Sequence, residues 1–233
     1  MHNPHVLMCT MTIMAVKVGL SEASAQSSSV RPRLLLLAGA TGTGKSTASI
    51  KIAEREGFHR IVSTDNIREV LRSVDRDEAT SALHRSSYSL GPSREPVQDW
   101  LETCQVLEEG IQATIAKSRR EGFDLIIEGV HIVPSERILR AWSESGGIAM
   151  GVVMVVHDEA LHRQMFVDRE KNTYRRAERY IANLQRIRAI QEGLIERAKI
   201  ANWAIVDPHR VDDDVERIIT LFRRKQADSQ NDS

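Results

Sequence analysis

The sequence predicts a three-layer α/β domain: a five-stranded parallel sheet between two helical layers, with a basic helical lid. Three observations carry this expectation. Apolar runs at Leu34–Ala38, Arg60–Ser63, Asp124–Ile127, Met150–Val156 and Trp203–Val206 read as strands, with amphipathic segments between them. Continuous apolar strands separated by helices need cover on both faces, which is the parallel, crossover-connected case. A strongly basic stretch over 158–179 follows the fourth run, where a lid would stand. The first strand is expected at the centre of the sheet with the third beside it, joined by right-handed crossovers.

The first run leads into Gly39-Ala40-Thr41-Gly42-Thr43-Gly44-Lys45-Ser46-Thr47. A glycine, four residues, then Gly-Lys-Ser between an apolar strand and a helix is the setting of a phosphate-binding loop. The glycines let backbone N–H groups converge on phosphates where a Cβ would obstruct them. Lys45 is expected to reach the β- and γ-phosphates of ATP, and the Ser46 hydroxyl to ligate Mg²⁺. The positive end of the following helix faces the same anion. The fold is therefore read as that of a P-loop NTPase, with Gly39 to Thr47 holding the nucleotide. A glycine-rich turn without a ligand is the plain alternative, and it leaves the lysine and the hydroxyl unexplained.

Between the second and third strands, Trp100, Cys104, Leu107, Ile111 and Ile115 recur at helical spacing. Before the fifth, Tyr180, Leu184, Ile187, Gln191, Leu194 and Ala198 do the same, with Gln191 the polar member. Both sets read as core faces rather than sites. Val215, Ile218, Ile219 and Phe222 mark a closing helix. Residues 33–224 are thus the expected domain, 225–233 a polar C-terminal tail, and 1–32 an extension outside the fold. That extension reads as disordered or as mis-started, given Met8, Met11 and Met14. A targeting role is the alternative, because Val6–Val16 is apolar and Ala23-Ser24-Ala25 imitates a cleavage site. No Lys or Arg precedes that apolar run, and it is too short to span a bilayer.

Composition narrows the function classes. The 233 residues are 41% hydrophobic and 27% charged, ordinary for one globular domain with ample core. A formal net charge of zero supplies no field to recruit nucleic acid or an anionic membrane. Aromatics at 4% argue against a base-stacking platform. Two cysteines, Cys9 and Cys104, form neither a disulfide framework nor a metal cluster, so a cytoplasmic location is expected.

The candidate chemistry lies at strand carboxyl ends, where open α/β sheets bind ligands. Ser63-Thr64-Asp65 ends the second strand. Asp65 there is a candidate base for an attacking hydroxyl, or a holder of Mg²⁺ through water; its alternative is a helix N-cap. Arg68, one turn on, faces the same cleft or is a plain surface charge. The third strand runs into Glu128-Gly129-Val130-His131, an acidic residue placed as in a Walker-B strand. Glu stands where Asp is usual, so Glu128 is expected to hold Mg²⁺ through water. His131 either binds an anionic substrate or packs its loop. Arg163, Arg169, Arg175, Arg176 and Arg179 are lid candidates, because a guanidinium fork grips phosphate oxygens; a solvated helix face is their alternative. Asp207-Pro208-His209-Arg210 follows the fifth strand, where adenine would rest.

Four segments make the reading more specific. Ser63-Thr64-Asp65-Asn66-Ile67-Arg68-Glu69-Val70, Leu83-His84-Arg85-Ser86-Ser87-Tyr88, Ile127-Glu128-Gly129-Val130-His131-Ile132-Val133-Pro134 and Arg179-Tyr180-Ile181-Ala182-Asn183-Leu184-Gln185-Arg186-Ile187-Arg188 closely resemble the 2-phosphoglycerate kinase family. The likeness runs from about Leu34 to Asp207. It implies a nucleoside-monophosphate-kinase-like fold and ATP-dependent phosphorylation of 2-phosphoglycerate to 2,3-diphosphoglycerate. It also implies cations for a carboxylate and a phosphate, drawn from Arg68, Arg85, His131 and the lid, with Asp65 as base. Ser86, Ser87 and Tyr88 add neutral donors, and His84 joins the candidate substrate set. The expected partner is a small anionic metabolite, with no nucleic acid and no membrane. Another small acceptor (a nucleoside, a sugar acid or a sugar nucleotide) is the runner-up. A nucleotide-driven switch is disfavoured, since neither Asn-Lys-x-Asp nor Leu-Ser-Gly-Gly-Gln occurs.

Overall fold

The computed structural model describes residues 31–75, 80–171, 174, 176–208 and 214–231. In chain order the elements are β1 (Arg33–Ala38), α1 (Lys45–Glu56), β2 (Ile61–Ser63), α2 (Thr64–Val74), α3 (Ser81–His84), α4 (Pro96–Gln105), α5 (Glu108–Glu121) and β3 (Leu125–Gly129). They continue with α6 (Glu136–Glu144), β4 (Ile148–Met154), α7 (Glu159–Glu170), α8 (Ala177–Ile181), α9 (Leu184–Ile200), β5 (Ala204–Val206) and α10 (Asp214–Asn231). The five strands form one sheet in the order β2-β3-β1-β4-β5, and all four pairings are parallel. The phosphate-loop strand is central and the Glu128 strand lies beside it, as expected.

Burial of β1 explains the three layers. Leu34, Leu35, Leu36 and Leu37 have no exposed surface. Period-two alternation sends Leu35 and Leu37 to one face, against Ala48 and Ile52 of α1 and Ile218 and Phe222 of α10. Leu34 and Leu36 pack on the other face with Trp100, Ile111 and Ile115 of α4 and α5 and Ile187 and Leu194 of α9. Each such leucine contributes about 1.5–3 kcal/mol of transfer free energy, so the central strand anchors both layers. The outer strands β2 and β5 have three residues each, which limits unpaired sheet edge.

Several boundaries depart from the expectation, each for a local reason. Arg31 and Pro32 belong to the domain rather than to an extension: Arg31 donates to Gly146 O, and Pro32 O accepts from Ile148 N and Trp142 Nε1. Residues 1–30 lie outside the described ones, as does every expectation placed on them. Strand β4 begins and ends two residues earlier than the apolar run. Gln191 accounts for its end: its amide accepts from Val156 N at 2.8 Å and donates to Val156 O at 3.0 Å, standing in for a neighbouring strand. The polar member of the α9 face is thus satisfied in full burial. The Trp100–Ile115 face is carried by two helices, α4 and α5, rather than one. Helix α10 runs on to Asn231, through most of the segment read as a polar tail. Among the described residues no helix is long and apolar enough to cross a membrane.

A buried ion pair fixes the segment that precedes α4. Asp99 is fully buried and accepts from Gly91 N, Ser93 N, Ser93 Oγ and Arg186 Nη2. Burial alone would raise its pKa, yet these bonds outweigh it and hold the carboxyl at about 2, below the ordinary 3.8. A depressed carboxylate stabilises fully above its unfolded value and loses that share as pH falls through the folded one. Asp99→Asn should therefore cost on the order of 3 kcal/mol at neutral pH by leaving the Arg186 charge without its counter-ion. It should also flatten the acid dependence of stability between the ordinary 3.8 and about 2. Denaturant titrations across pH check both, and an unchanged acid limb would contradict the assignment.

Candidate functional site

The phosphate loop leaves the carboxyl end of β1 and enters α1. Gly42 and Gly44 have φ of 88° and 85°, in the left-handed region that strains any side chain. Gly44 is the N-cap of α1, so the loop turns its backbone donors toward the helix's positive end. The Lys45 ammonium is buried and donates to Ala40 O at 2.8 Å, and the Thr43 hydroxyl donates to the same carbonyl at 3.1 Å. Burial lowers the Lys45 pKa; the nearby Glu128 and Asp65 carboxylates oppose that, and Arg169 adds to it.

Parallel register brings the carboxylates to this loop. Leu37 of β1 lies opposite Glu128 of β3, and Ser63 of β2 lies opposite Glu128 from the other side. Buried Glu128 accepts a hydrogen bond from the Ser46 hydroxyl at 2.9 Å. Asp65 follows β2 in the first turn of α2, with its side chain 56% exposed and Oδ1 3.9 Å from His131 Nδ1. The capping alternative for Asp65 does not hold. Ser63 is the N-cap, and its hydroxyl accepts from Asn66 N at 3.2 Å. His131 is buried, with Nδ1 3.1 Å from the Thr64 hydroxyl. Burial drives its pKa well below the ordinary 6.5, and Asp65 offsets that only in part. His131 therefore belongs to the wall as a neutral ring rather than as a cation.

These groups line one cavity of about 900 Å³. Its wall includes Thr41, Gly42, Gly44, Lys45, Ser46 and Thr47 of the loop; the buried Ala40 and Thr43 brace the loop behind it. Opposite stand Asp65, Arg68, Ser86, Ser87, Tyr88, Glu128 and His131, with Arg169, Arg179 and Tyr180 closing one side. Arg68 holds the segment after α3 by donating to Leu83 O and Arg85 O at 2.9 and 2.8 Å. Arg179 donates to the Ser86 hydroxyl at 2.5 Å and lies over the Tyr88 ring. Arg169 lies over Tyr180, 5.9 Å from its centroid.

Other expected residues are placed elsewhere. His84 faces Asp75 at 3.2 Å, and Arg85 pairs with Glu102 and donates to Asp99 O, so neither lines the cavity. Arg163 and Arg176 are exposed and away from it, while Arg175, His209 and Arg210 lie outside the described residues. Conversely Asn66, Glu69, Met165 and Asp168 line the cavity without having been singled out. Helical spacing held the signal for two of them, since Glu69 is four residues after Asp65 and Met165 four before Arg169. A second cavity of about 910 Å³ between α5 and α6 lacks any phosphate-loop residue.

The oxygens here suit magnesium. Ser46, Glu128 and Asp65 are hard donors beside a phosphate-binding loop. Among the described residues no cluster of three or more His, Cys, Asp or Glu forms a metal cage. Magnesium fits such a site because it takes few protein ligands and keeps waters and substrate phosphates.

The sequence profile of the AAA domain matches residues 34–194, about the span from β1 to the middle of α9. The chain belongs to the AAA-domain family. This AAA domain is also similar to proteins named 2-phosphoglycerate kinase, in line with the resemblance of its motifs. It is 31% identical over 203 residues to that of Methanopyrus kandleri, a match covering 83% of this chain and 62% of the relative. It is 31% identical over 198 residues to that of Thermococcus kodakarensis, covering 82% and 66%. For Methanocaldococcus jannaschii the figures are 27% over 201 residues, covering 84% and 64%. The chain thus spans under two thirds of the length of these relatives. A crystal structure from Chloroflexus aurantiacus at 1.70 Å aligns with a TM-score of 0.50 at 14% identity, covering 85% of this chain and 98% of that one. That likeness concerns the fold alone.

Because Ser63 caps α2, Asp65 is free of a capping duty, and stability should separate the two. Ser63→Ala should cost about 1 kcal/mol. Asp65→Asn, on a half-exposed side chain, should stay within about 0.5 kcal/mol of the parent. Denaturant midpoints decide this, and an Asp65→Asn loss as large as that of Ser63→Ala would return the cap to Asp65.

Proposed function

We propose that this AAA domain is an ATP-dependent kinase whose acceptor is 2-phosphoglycerate, phosphorylated on its 3-hydroxyl to give 2,3-diphosphoglycerate. The observation that carries this reading is the shared cavity. One space touches the phosphate loop, a solvent-reachable carboxylate and three arginines, Arg68, Arg169 and Arg179. A doubly anionic acceptor beside a triphosphate concentrates negative charge, and guanidinium groups oppose it without losing their own charge. The similarity to proteins named 2-phosphoglycerate kinase supports the choice of acceptor.

In this mechanism the acceptor's 3-hydroxyl oxygen bonds to the γ-phosphorus as the bond from that phosphorus to the β,γ-bridging oxygen breaks. Asp65 accepts the hydroxyl proton, and ADP leaves with the bridging oxygen. Backbone donors of 39–45 and the Lys45 ammonium hold the phosphates in line. Ser46 and Glu128 would hold magnesium, which would supply positive charge to offset that of the phosphates. Arg169 and Arg179 neutralise the transferring group from the lid side, while Ser86 and Tyr88 orient the acceptor. A cell compartment rich in ATP, the cytoplasm, is the natural setting.

Offered 2-phosphoglycerate, 3-phosphoglycerate, glycerate and nucleoside monophosphates in parallel with ATP and magnesium, the protein should release ADP with 2-phosphoglycerate. Turnover confined to a nucleoside monophosphate or to glycerate would reject the acceptor and keep the kinase. Nucleotide hydrolysis indifferent to every acceptor would reject the kinase. Lys45→Ala should abolish transfer, and Asp65→Asn should slow it by roughly 10²–10⁴-fold. The Glu128→Gln defect should change with the concentration or identity of the divalent metal, whereas a metal-independent defect would place Glu128 on the acceptor instead.

A further inference from the structure

A column of four rings crosses from the phosphate loop to the acceptor side, and the proposed reaction uses neither His162 nor Phe166 within it. His162 of α7 is fully buried, and its Nε2 lies 2.9 Å from Thr41 O. A carbonyl only accepts, so Nε2 carries the proton and donates to the loop. The His162 ring stacks on Phe166 with centroids 5.0 Å apart, and Phe166 stacks on Tyr180 of α8 at 5.1 Å and 13°. Tyr180 meets Tyr88 edge to face at 5.7 Å, and Arg179 over Tyr88 binds Ser86 next to it. Thr41, which the first ring holds, and Tyr180 and Tyr88 at the other end line the candidate cavity, whereas His162 and Phe166 do not.

The column is seated on the loop backbone itself. A Cβ on Gly42 would come within 2.3 Å of the Phe166 ring, so the ring packs against bare main chain of the loop. His162, Phe166 and Arg169 stand at i, i+4 and i+7 on one face of α7, and Arg169 reaches Tyr180 from the same side. Interiors are close-packed, so a loop that shifts when phosphates bind cannot move without displacing Phe166, and Phe166 cannot move without displacing Tyr180.

We propose that His162 and Phe166 are positioning residues that carry the state of the phosphate loop to residues 86–88, making nucleotide and acceptor bind cooperatively. The acceptor's identity in this proposal rests on the kinase reading above; the link from loop to acceptor segment does not. Coupling of this kind is reciprocal, so each ligand strengthens the other by the same factor.

The test uses hydrogen exchange of the backbone amides of 86–89 in the full chain, with and without the magnesium complex of adenylyl imidodiphosphate. In the parent protein the nucleotide analogue alone should slow these amides on the order of tenfold, and in Phe166→Leu by about twofold or less. Phe166→Met fills a similar volume without a ring face and should behave like the leucine variant; it serves if that variant does not fold. His162→Gln keeps a side-chain N–H for Thr41 O and should retain the slowing, whereas His162→Leu should lose it. Equal slowing in the parent and both Phe166 variants, or none in the parent, overturns the proposal. Calorimetric titration of the analogue with and without 2-phosphoglycerate adds the coupling factor itself, which should fall from about tenfold toward unity in the variants. If 2-phosphoglycerate fails to bind yet the slowing is present and lost in the variants, the column stands and the acceptor assignment falls. If 2-phosphoglycerate is turned over while the slowing survives in the variants, the column falls and the kinase stands.

Discussion

Parallel register is the constraint on which the rest of this molecule depends. All five strands point the same way, so the chain leaves each of them on one edge of the sheet. Pairing of Ala38 with Gly129, and of Ser63 with Glu128, then places the phosphate loop, Glu128 and Asp65 within one cavity although they are far apart in sequence. The apolar burial of β1 anchors the strand from both faces. A one-residue slip would reverse Leu34–Leu37 between the layers and carry Glu128 away from Ser46.

Polar groups at the strand ends are held by side chains rather than by more sheet. Gln191 holds both backbone groups of Val156 just beyond β4, Ser63 caps α2, and Asp99 gathers four donors beside the acceptor segment. Arg68 and Arg186 hold the carbonyls of Leu83, Arg85, Tyr88 and Ser89. The acceptor wall is thus an irregular segment whose carbonyls are held by arginines rather than by a neighbouring strand. The same arrangement explains why arginine-rich sequence here does not mean an equal number of ligand contacts.

Most of the fold was legible because its signals are local. Five apolar runs, the Gly-Lys-Ser turn and the acidic end of β3 each declare themselves within a few residues. The phosphate loop, Asp65 and Glu128 could be placed from strand ends alone, since an α/β sheet gathers its ligand groups there. Side-chain direction was not legible in irregular segments. His84 and Arg85 stand in the same short segment as Ser86 and Tyr88, yet they turn toward Asp75 and Glu102, partners that sequence spacing does not announce. Nor did it reveal that the capping serine precedes Asp65 by two positions, or that Gln191 replaces a strand. In each case the outcome depends on a partner distant in sequence or on backbone geometry, and composition and periodicity carry neither.

In the proposed complex one cavity holds both substrates, with Asp65 between them. The most direct measurement is a crystal structure of the full chain with the magnesium complex of adenylyl imidodiphosphate and 2-phosphoglycerate. The acceptor's 3-hydroxyl should lie at hydrogen-bonding distance, about 2.6–3.2 Å, from an Asp65 carboxylate oxygen and in line with the γ-phosphorus. Acceptor density in the cavity between α5 and α6, or a 3-hydroxyl turned away from Asp65 toward solvent, would contradict it.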